Sequence, residues 1–556
     1  MELESRLHGY LPGDLAMSRT AYSRRTMLKA AAAAAASAGL PDITFAQAAS
    51  QPLRIGISLS DVPRMWGGPE GGFEGVRFGG YLVFDALINW DMTKADQPSR
   101  LTGGLAESWA IDPADKKRWI LKLRQGVKFH DGTAFDADAA IWNFDSIFKQ
   151  DAPQYHAPRS GLVRSRLSSL ASYEKIDDKT IAVTTQFVDS AFAYQLAYLW
   201  FCSPSKLREH GGDWQKFALQ PAGTGPYKVV SVTPRERTEL EANTAYWDPK
   251  RVPKAPRTVL LPIPDSNARI AALRAGTIDL AETLPPDAIP SLKAAGMQIV
   301  QNTYPHIWAW RLNVNPGTPF GDVRVRKAAN LAIDRASMVE LLSGTALAAK
   351  GNVPPGDPWY GKPNFDIKFD VEAAKKLMTE AGYSATKRLP VTIVIASGGG
   401  GQMVPMPMNE MMQENLKDIF IDVKFEVVDF TTIINMLRGG ARSDQQKNFH
   451  GINIAIPTIE PTAGWTIYDS QLTSPRGNNW GWYNNPAVDA QIKVMRDAFE
   501  PAAYDAAMGK LHELIVDDAA ALFVVHDLNP RGLSPRVKGF VQSRNWFQDY
   551  TPISVS

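Results

Sequence analysis

Hydrophobic and polar positions alternate with a period of two along LRIGISLS (residues 53–60), the pattern of a strand with one buried face. The alternation returns in RWILKLR (118–124), bounded by turn-forming Asp-Lys and Gln-Gly pairs, and in KTIAVTT (179–185). GTGPYKVVSV followed by RTELEAN predicts a hairpin, and FGGYLVFDALINW (78–90) sets apolar residues at helical spacing. From Asn267 the period lengthens. NARIAALRAGTIDLAE (267–282) predicts a short helix stopped at Gly276 and then a buried strand, and VRVRKAANLAIDRASMVELL (323–342) predicts an amphipathic helix pair. PVTIVIA, a glycine run, MNEMMQENLKDIF and IDVKFEVVDF form a strand–helix–strand unit, which favours parallel pairing. A last helix, AAYDAAMGKLHELIVDD, leads into the strand AALFVVHDL. The chain predicts two α/β lobes plus a mostly antiparallel insertion, with the cleft between the lobes as the default ligand site.

Composition narrows the function classes. The 556 residues are 44% hydrophobic, ample for more than one domain, and 60 Lys+Arg against 58 Asp+Glu leave no basic face for nucleic acid. A single cysteine, Cys202, excludes an intramolecular disulfide and a multi-thiolate metal site. Near the N-terminus, Arg24 and Arg25 precede an alanine-dominated run ending in Ala46-Gln47-Ala48. The apolar part is short of the ~20 residues that cross a bilayer. The pattern predicts a twin-arginine export signal over residues 1–48, with the mature protein starting near Ala49 in a bacterial periplasm.

FHDGTAFDAD (129–138) gathers one histidine and three aspartates, the raw material of a metal loop or an acid–base pair. Each acid also has a structural use. Asp131-Gly132 is a turn signal, Asp136 is placed to cap the helix that follows, and Asp138 falls in that helix's first turn. The calcium-loop spacing is absent, so a strand–turn–helix joint is predicted. No HExxH or GxSxG occurs, and SGGGG (397–401) lacks the Gly-Lys-Ser/Thr of a nucleotide loop. Neither catalysis nor a cofactor is expected.

The longer segment LAESWAIDPADKKRWILKLRQGVKFHDGTAFDADAAIWNFD resembles the signature of the family 5 extracellular solute-binding proteins, the dipeptide/oligopeptide class of ABC importers. GTGPYKVV with AYWD, ARIAALRAGTIDLAE, RLNVNPGTPFGDVRVRKAANLAIDR and NNWGWYNNPAVDAQI extend the likeness along most of the chain. The resemblance implies a large type II periplasmic binding protein with two lobes, a two-strand hinge and an additional inserted domain. Lobe I would comprise 49–82, 222–305 and 527–556, the insertion 83–221 and lobe II 306–526. It also implies capture of a peptide or peptide-sized solute, delivery to ABC permease subunits in the inner membrane, and a monomer. Peptide binders of the family often carry an aspartate for the peptide amine; aligning IPTIEP (456–461) places Pro457 there, with Glu460 nearby. Pro457 offers neither charge nor N–H, which opens the alternatives of a non-peptidic solute (a glycoside, opine-like or aromatic compound) or of a receptor presenting its ligand to a sensor. Candidate ligand residues are Trp66, Trp308, Trp310, Arg311, Trp465, Trp480, Trp482 and Tyr483, mostly aromatics near glycine- or asparagine-rich loops that suit stacking or cation–π contact. Arg311 and Arg442 are candidates for a ligand carboxylate.

Overall fold

A computed structural model describes residues 51–70, 72–398, 403–458 and 464–556; the export signal predicted over residues 1–48 and Glu460 lie outside the described residues. The alternating segment at the start forms the strand Leu53–Ile57, buried at Leu53, Ile55 and Ile57. It pairs in parallel with Arg257–Pro262 and Leu280–Ala281. The hairpin Tyr227–Thr233/Arg237–Ala242 extends one side of this sheet, and Arg531–Leu533 with Gln298–Val300 extends the other. Helix Ser266–Arg274 begins at Asp265, whose side chain accepts from Ala268 N, and ends before Gly276 at φ +69°. That conformation costs glycine little, so the chain can turn into the strand.

The second sheet runs in the order Ala346–Ala348, Ala521–Asp527, His306–Leu312, Gly451–Asn453, Leu389–Ala396, Ile421–Val428. Leu389–Ala396 and Ile421–Val428 are parallel, joined through helix Pro405–Lys417 as the strand–helix–strand pattern predicts. The strand His306–Leu312 divides its side chains between two apolar clusters. Trp308, Trp310 and Leu312 enter one, while Ile307 and Ala309 enter the other. Arg311 shares the second face by parity.

A four-stranded antiparallel sheet, Ala106–Asp112, Asp115–Leu123, Thr180–Thr185 and Leu170–Asp177, forms the inserted layer. Its apolar face shares one continuous cluster with the first sheet, from Leu53 and Ile55 through Phe144 and Trp119. FHDGTAFDAD is a joint between strand and helix. Gly132 sits at φ +87°, and Asp136 caps helix Ala137–Phe148 by accepting from Ala139 N at 2.9 Å. His130 is held against Gly225 O at 2.9 Å, and burial pushes its pKa down to about 4. The segment 78–90 departs from its helical spacing: the helix covers Gly72–Gly79, turns follow, and Ile88–Trp90 is a strand. Asp85 supplies a physical reason. Buried in this stretch, it accepts from Tyr246 Oη, Trp247 Nε1, Thr224 Oγ1 and Asn89 Nδ2, partners that converge on an irregular backbone.

Only residues 301–305 and 528–530 carry the chain between the two large sheets, and they run side by side. Asn302 N donates to Leu528 O at 3.0 Å and Tyr304 N to Asp527 O at 2.8 Å. This paired crossing is the hinge. Beneath it lies a fully buried polar knot in which Glu282 accepts from Arg77, Arg531 and Tyr550, and Arg77 also donates to Tyr304 Oη at 2.7 Å. The two guanidinium groups hold the Glu282 carboxyl below its usual range against the opposing effect of burial. Among the described residues no helix is long and apolar enough to cross a membrane.

Candidate ligand site

Two neighbouring cavities open on the second sheet's face that carries Ile307, Ala309 and Arg311. The larger, about 380 Å³, is walled by Trp359 and Trp465, by Met508, Leu511 and Ile515, and by Asn352, Val353, Thr458, Gly464 and His512. Helix Pro501–Asp517 supplies four of these from one stripe, at spacings of three and four residues. His512 is kept neutral: Nδ1–H donates to Tyr360 O at 2.7 Å, Val353 N–H points at Nε2, and burial lowers the pKa to about 4. Trp359 Nε1 donates to Asp505, whereas Trp465 Nε1 is buried without an acceptor among the described residues.

The second cavity, about 290 Å³, is lined by Arg311, Leu312, Ile456, Ile467, Tyr468, Trp480, Gly481, Tyr483 and neighbouring small residues. Tyr468 joins the two, lining this one while its hydroxyl donates to Asn352 Oδ1 of the first at 3.0 Å. Tyr483 donates to Asp518 Oδ2 at 2.7 Å and Trp480 Nε1 to Gln446 Oε1 at 2.8 Å. Neither lining contains a carboxylate among the described residues.

The inserted layer closes over this face. Ser190 N donates to Arg496 O and Ser190 Oγ to Met495 O, Arg100 pairs with Asp505 at 3.2 Å, and the Tyr194 and Tyr504 rings lie 6.4 Å apart. Arg496 is sandwiched, its Cζ 4.4 Å from the Phe187 ring and 4.3 Å from the Trp465 ring, and it pairs with Asp469 at 2.9 Å. An arginine between two rings, one from the insertion and one from the second lobe, ties the closed contact to the wall of the larger cavity.

The predicted residues therefore separate. Arg311, Trp480 and Tyr483 meet at one cavity and Trp465 lines the other. Trp308 and Trp310 point to the opposite face, where Trp310 Nε1 donates to Asn409 Oδ1 at 2.8 Å. Trp66 is buried far along the chain against His156, ring centroids 4.7 Å apart. Trp482, at φ +57°, lies under Arg442 at 3.8 Å, and Arg442 is bound to Asn315. Sequence reasoning passed over Trp359, Asn352 and His512. The loop NVPPGDPWY carries a turn-rich signal with one aromatic, but the helix residues read as ordinary core. Cys202 is buried, and no group of three or more His, Cys, Asp or Glu is placed to hold a metal among the described residues.

Two α/β sheets joined by a paired hinge, with cavities on one inner face, can be compared with known proteins. Residues 100–478 match the model of the bacterial extracellular solute-binding proteins, family 5. The chain belongs to that family. As a family 5 protein it is 30% identical over 414 residues to the glutathione-binding protein GsiB of Salmonella paratyphi A, covering 73% of this chain and 77% of the relative. It is 31% identical over 293 residues to GsiB of Escherichia coli O1:K1, an alignment spanning 52% of this chain and about half, 54%, of that relative. The periplasmic binding protein DppA of Helicobacter pylori, solved with the peptide STSA, superposes with a TM-score of 0.73 at 21% identity, over 91% of this chain and 98% of its own. That likeness shows the fold: the family 5 chain has the type II periplasmic binding protein architecture.

Proposed function

We propose that this protein captures a peptide or peptide-sized solute between its two lobes in the periplasm and delivers it to the permease of an ABC importer. It acts by binding, as a monomer, after export by the twin-arginine route. Lobe I is assigned to 49–82, 222–305 and 527–556, the insertion to 83–221 and lobe II to 306–526. The observation that carries this reading is the paired crossing at 301–305 and 528–530, combined with cavities adjoining the contact between insertion and second lobe. Two bodies linked by two short strands rotate at little cost, and a ligand that touches both favours the closed arrangement. The glutathione-binding relatives and the peptide-bound neighbour support a peptide-sized ligand.

A non-peptidic solute is a second reading, and Pro457 favours it. Pro457 pairs in the sheet with His306, and neither cavity offers a carboxylate for a peptide ammonium among the described residues. Small-angle scattering with a di- to pentapeptide library tests the main reading. The radius of gyration should fall, and native mass spectrometry should recover the bound peptide unchanged. Absence of compaction together with a chemically altered solute would overturn solute capture, whereas compaction by non-peptidic acids alone would select the second reading.

A further inference from the structure

The contacts between the insertion and the second lobe gather on one elbow of the chain. Residues 495–505 join the end of helix Pro486–Arg496 to the first turns of helix Pro501–Asp517. Along this stretch Ser190 reaches Met495 O and Arg496 O, and Trp119 lies 6.0 Å from the Phe499 ring. Tyr194 meets Tyr504, and Arg100 pairs with Asp505.

The same elbow grips the larger cavity in three ways. Asp505 accepts from Trp359 Nε1 at 2.7 Å with the carboxylate that also takes Arg100. Arg496 rests on the Trp465 and Phe187 rings, while Asp469 holds its Nη2 at 2.9 Å. Helix Pro501–Asp517 meets the insertion with Tyr504 and Asp505 and, three to four residues on, walls the cavity with Met508. Both tryptophans of the cavity wall thus stand one side chain away from the insertion.

The cross-lobe contacts are weak by themselves. Arg100 and Asp505 keep 48% and 25% of their side-chain surface exposed, and such pairs contribute little until their geometry is fixed. A long side chain that bridges two bodies also loses rotamer freedom. A solute pressed against Trp359 and Trp465 bears part of that loss in advance, because it immobilises the rings on which Asp505 and Arg496 lean. We propose that the elbow 495–505 makes closure depend on occupancy of the larger cavity, with Arg496 and Asp505 as positioning residues that dock on Phe187 and Arg100. This inference rests on the solute-capture reading and adds which part of the solute the insertion senses. That part is an uncharged apolar or aromatic group, since the wall offers rings, Met508, Leu511 and Ile515, and His512 is already bonded to Tyr360 O. Charge gives the grip a signature. Arg100 faces Asp357 as well as Asp505, both on the second lobe, so salt weakens it.

Cys202 is buried, so fluorophores can be attached through Leu219→Cys on the insertion and Phe369→Cys on the second lobe, both exposed positions. The probe is phenylacetamide, a neutral aromatic amide that fits a cavity of about 380 Å³. Energy transfer should report closure when phenylacetamide is added, and stopped-flow release should quicken as sodium chloride rises from about 20 mM to about 500 mM. Arg100→Gln and Phe187→Ala alter insertion residues that do not line the cavity. Each should release phenylacetamide about three- to fivefold faster with the ligand-free melting temperature nearly unchanged, and the double variant about ten- to twentyfold faster. Arg100→Gln should also lose the salt dependence, and Arg100→Lys should restore it. Equal release rates in the wild type and the double variant, or closure by a library peptide but not by phenylacetamide, overturn the role of the elbow and leave capture intact. A wild type in which neither phenylacetamide nor any library peptide changes energy transfer overturns solute capture, and this inference with it.

Discussion

Trp480 donates its Nε1–H to Gln446, whereas Trp465, buried at 2% exposure, finds no acceptor for its donor among the described residues. The difference separates structure from ligand contact at the scale of one side chain. Trp480→Ala removes a packed ring and strands Gln446, so unfolding stability should fall by about 3–5 kcal/mol in denaturant titration. Trp465→Phe keeps an apolar ring and deletes only the donor, so it should leave the melting temperature nearly unchanged while weakening solute binding in calorimetry. Sequence alternation placed Trp308, Trp310 and Leu312 on one face, and Arg311 stands on the other. Which face borders a cavity was not legible, because parity orders side chains along a strand without saying what packs on each side. Trp359 and His512 were missed for a related reason. The cavity is assembled from residues 352–359, 458–465 and 508–515, three separate stretches of the chain, and no local spacing records how they meet.

At the scale of elements, local chemistry decided most of the outcome. In FHDGTAFDAD the turn, the cap and the first-turn acid each follow from a residue's own backbone preference, and each is found where it was expected. Asp136→Ala should cost about 1 kcal/mol, the usual loss for a removed N-cap, read as an earlier midpoint in urea with ligand binding retained. The segment 78–90 shows where local reading ends. Its apolar spacing fits a helix, yet Asp85 must reach three donors from distant parts of the chain as well as Asn89 nearby, and that requirement governs the backbone. The Arg496 sandwich is likewise an element-level feature that spacing does not reveal, since Phe187 and Trp465 belong to separate parts of the chain.

For the whole molecule, burial sets the response to pH. His130, His156 and His512 are pushed down to about 4 and His526 to about 3. Unfolding releases them to ordinary values near 6.5, so between pH 6.5 and 4 the unfolded chain binds more protons than the folded one. Their contribution is fully present above pH 6.5 and is lost as pH falls towards 4. Buried Glu74 and Asp189 and half-buried Asp357 are raised instead, chiefly by desolvation, and work in the opposite direction. Differential scanning calorimetry should therefore compare the wild type with His512→Asn, which should show a shallower decline from pH 6.5 to 4. The hinge presents the same kind of long-range dependence. Glu282 meets Arg77 and Arg531 across more than 200 residues of sequence, so the knot beneath the crossing exists only once remote segments have come together around the first sheet.

The sequence alone determined most of the elements, the two-lobe plan and the family, because periodicity, caps, turns and signature segments are local properties that survive without a fold. The tertiary structure alone decided which aromatics pack and which face a cavity, and that Arg311 lines one of the cavities. Those facts depend on solvent exclusion by residues remote in sequence, and burial is a property of the assembled protein.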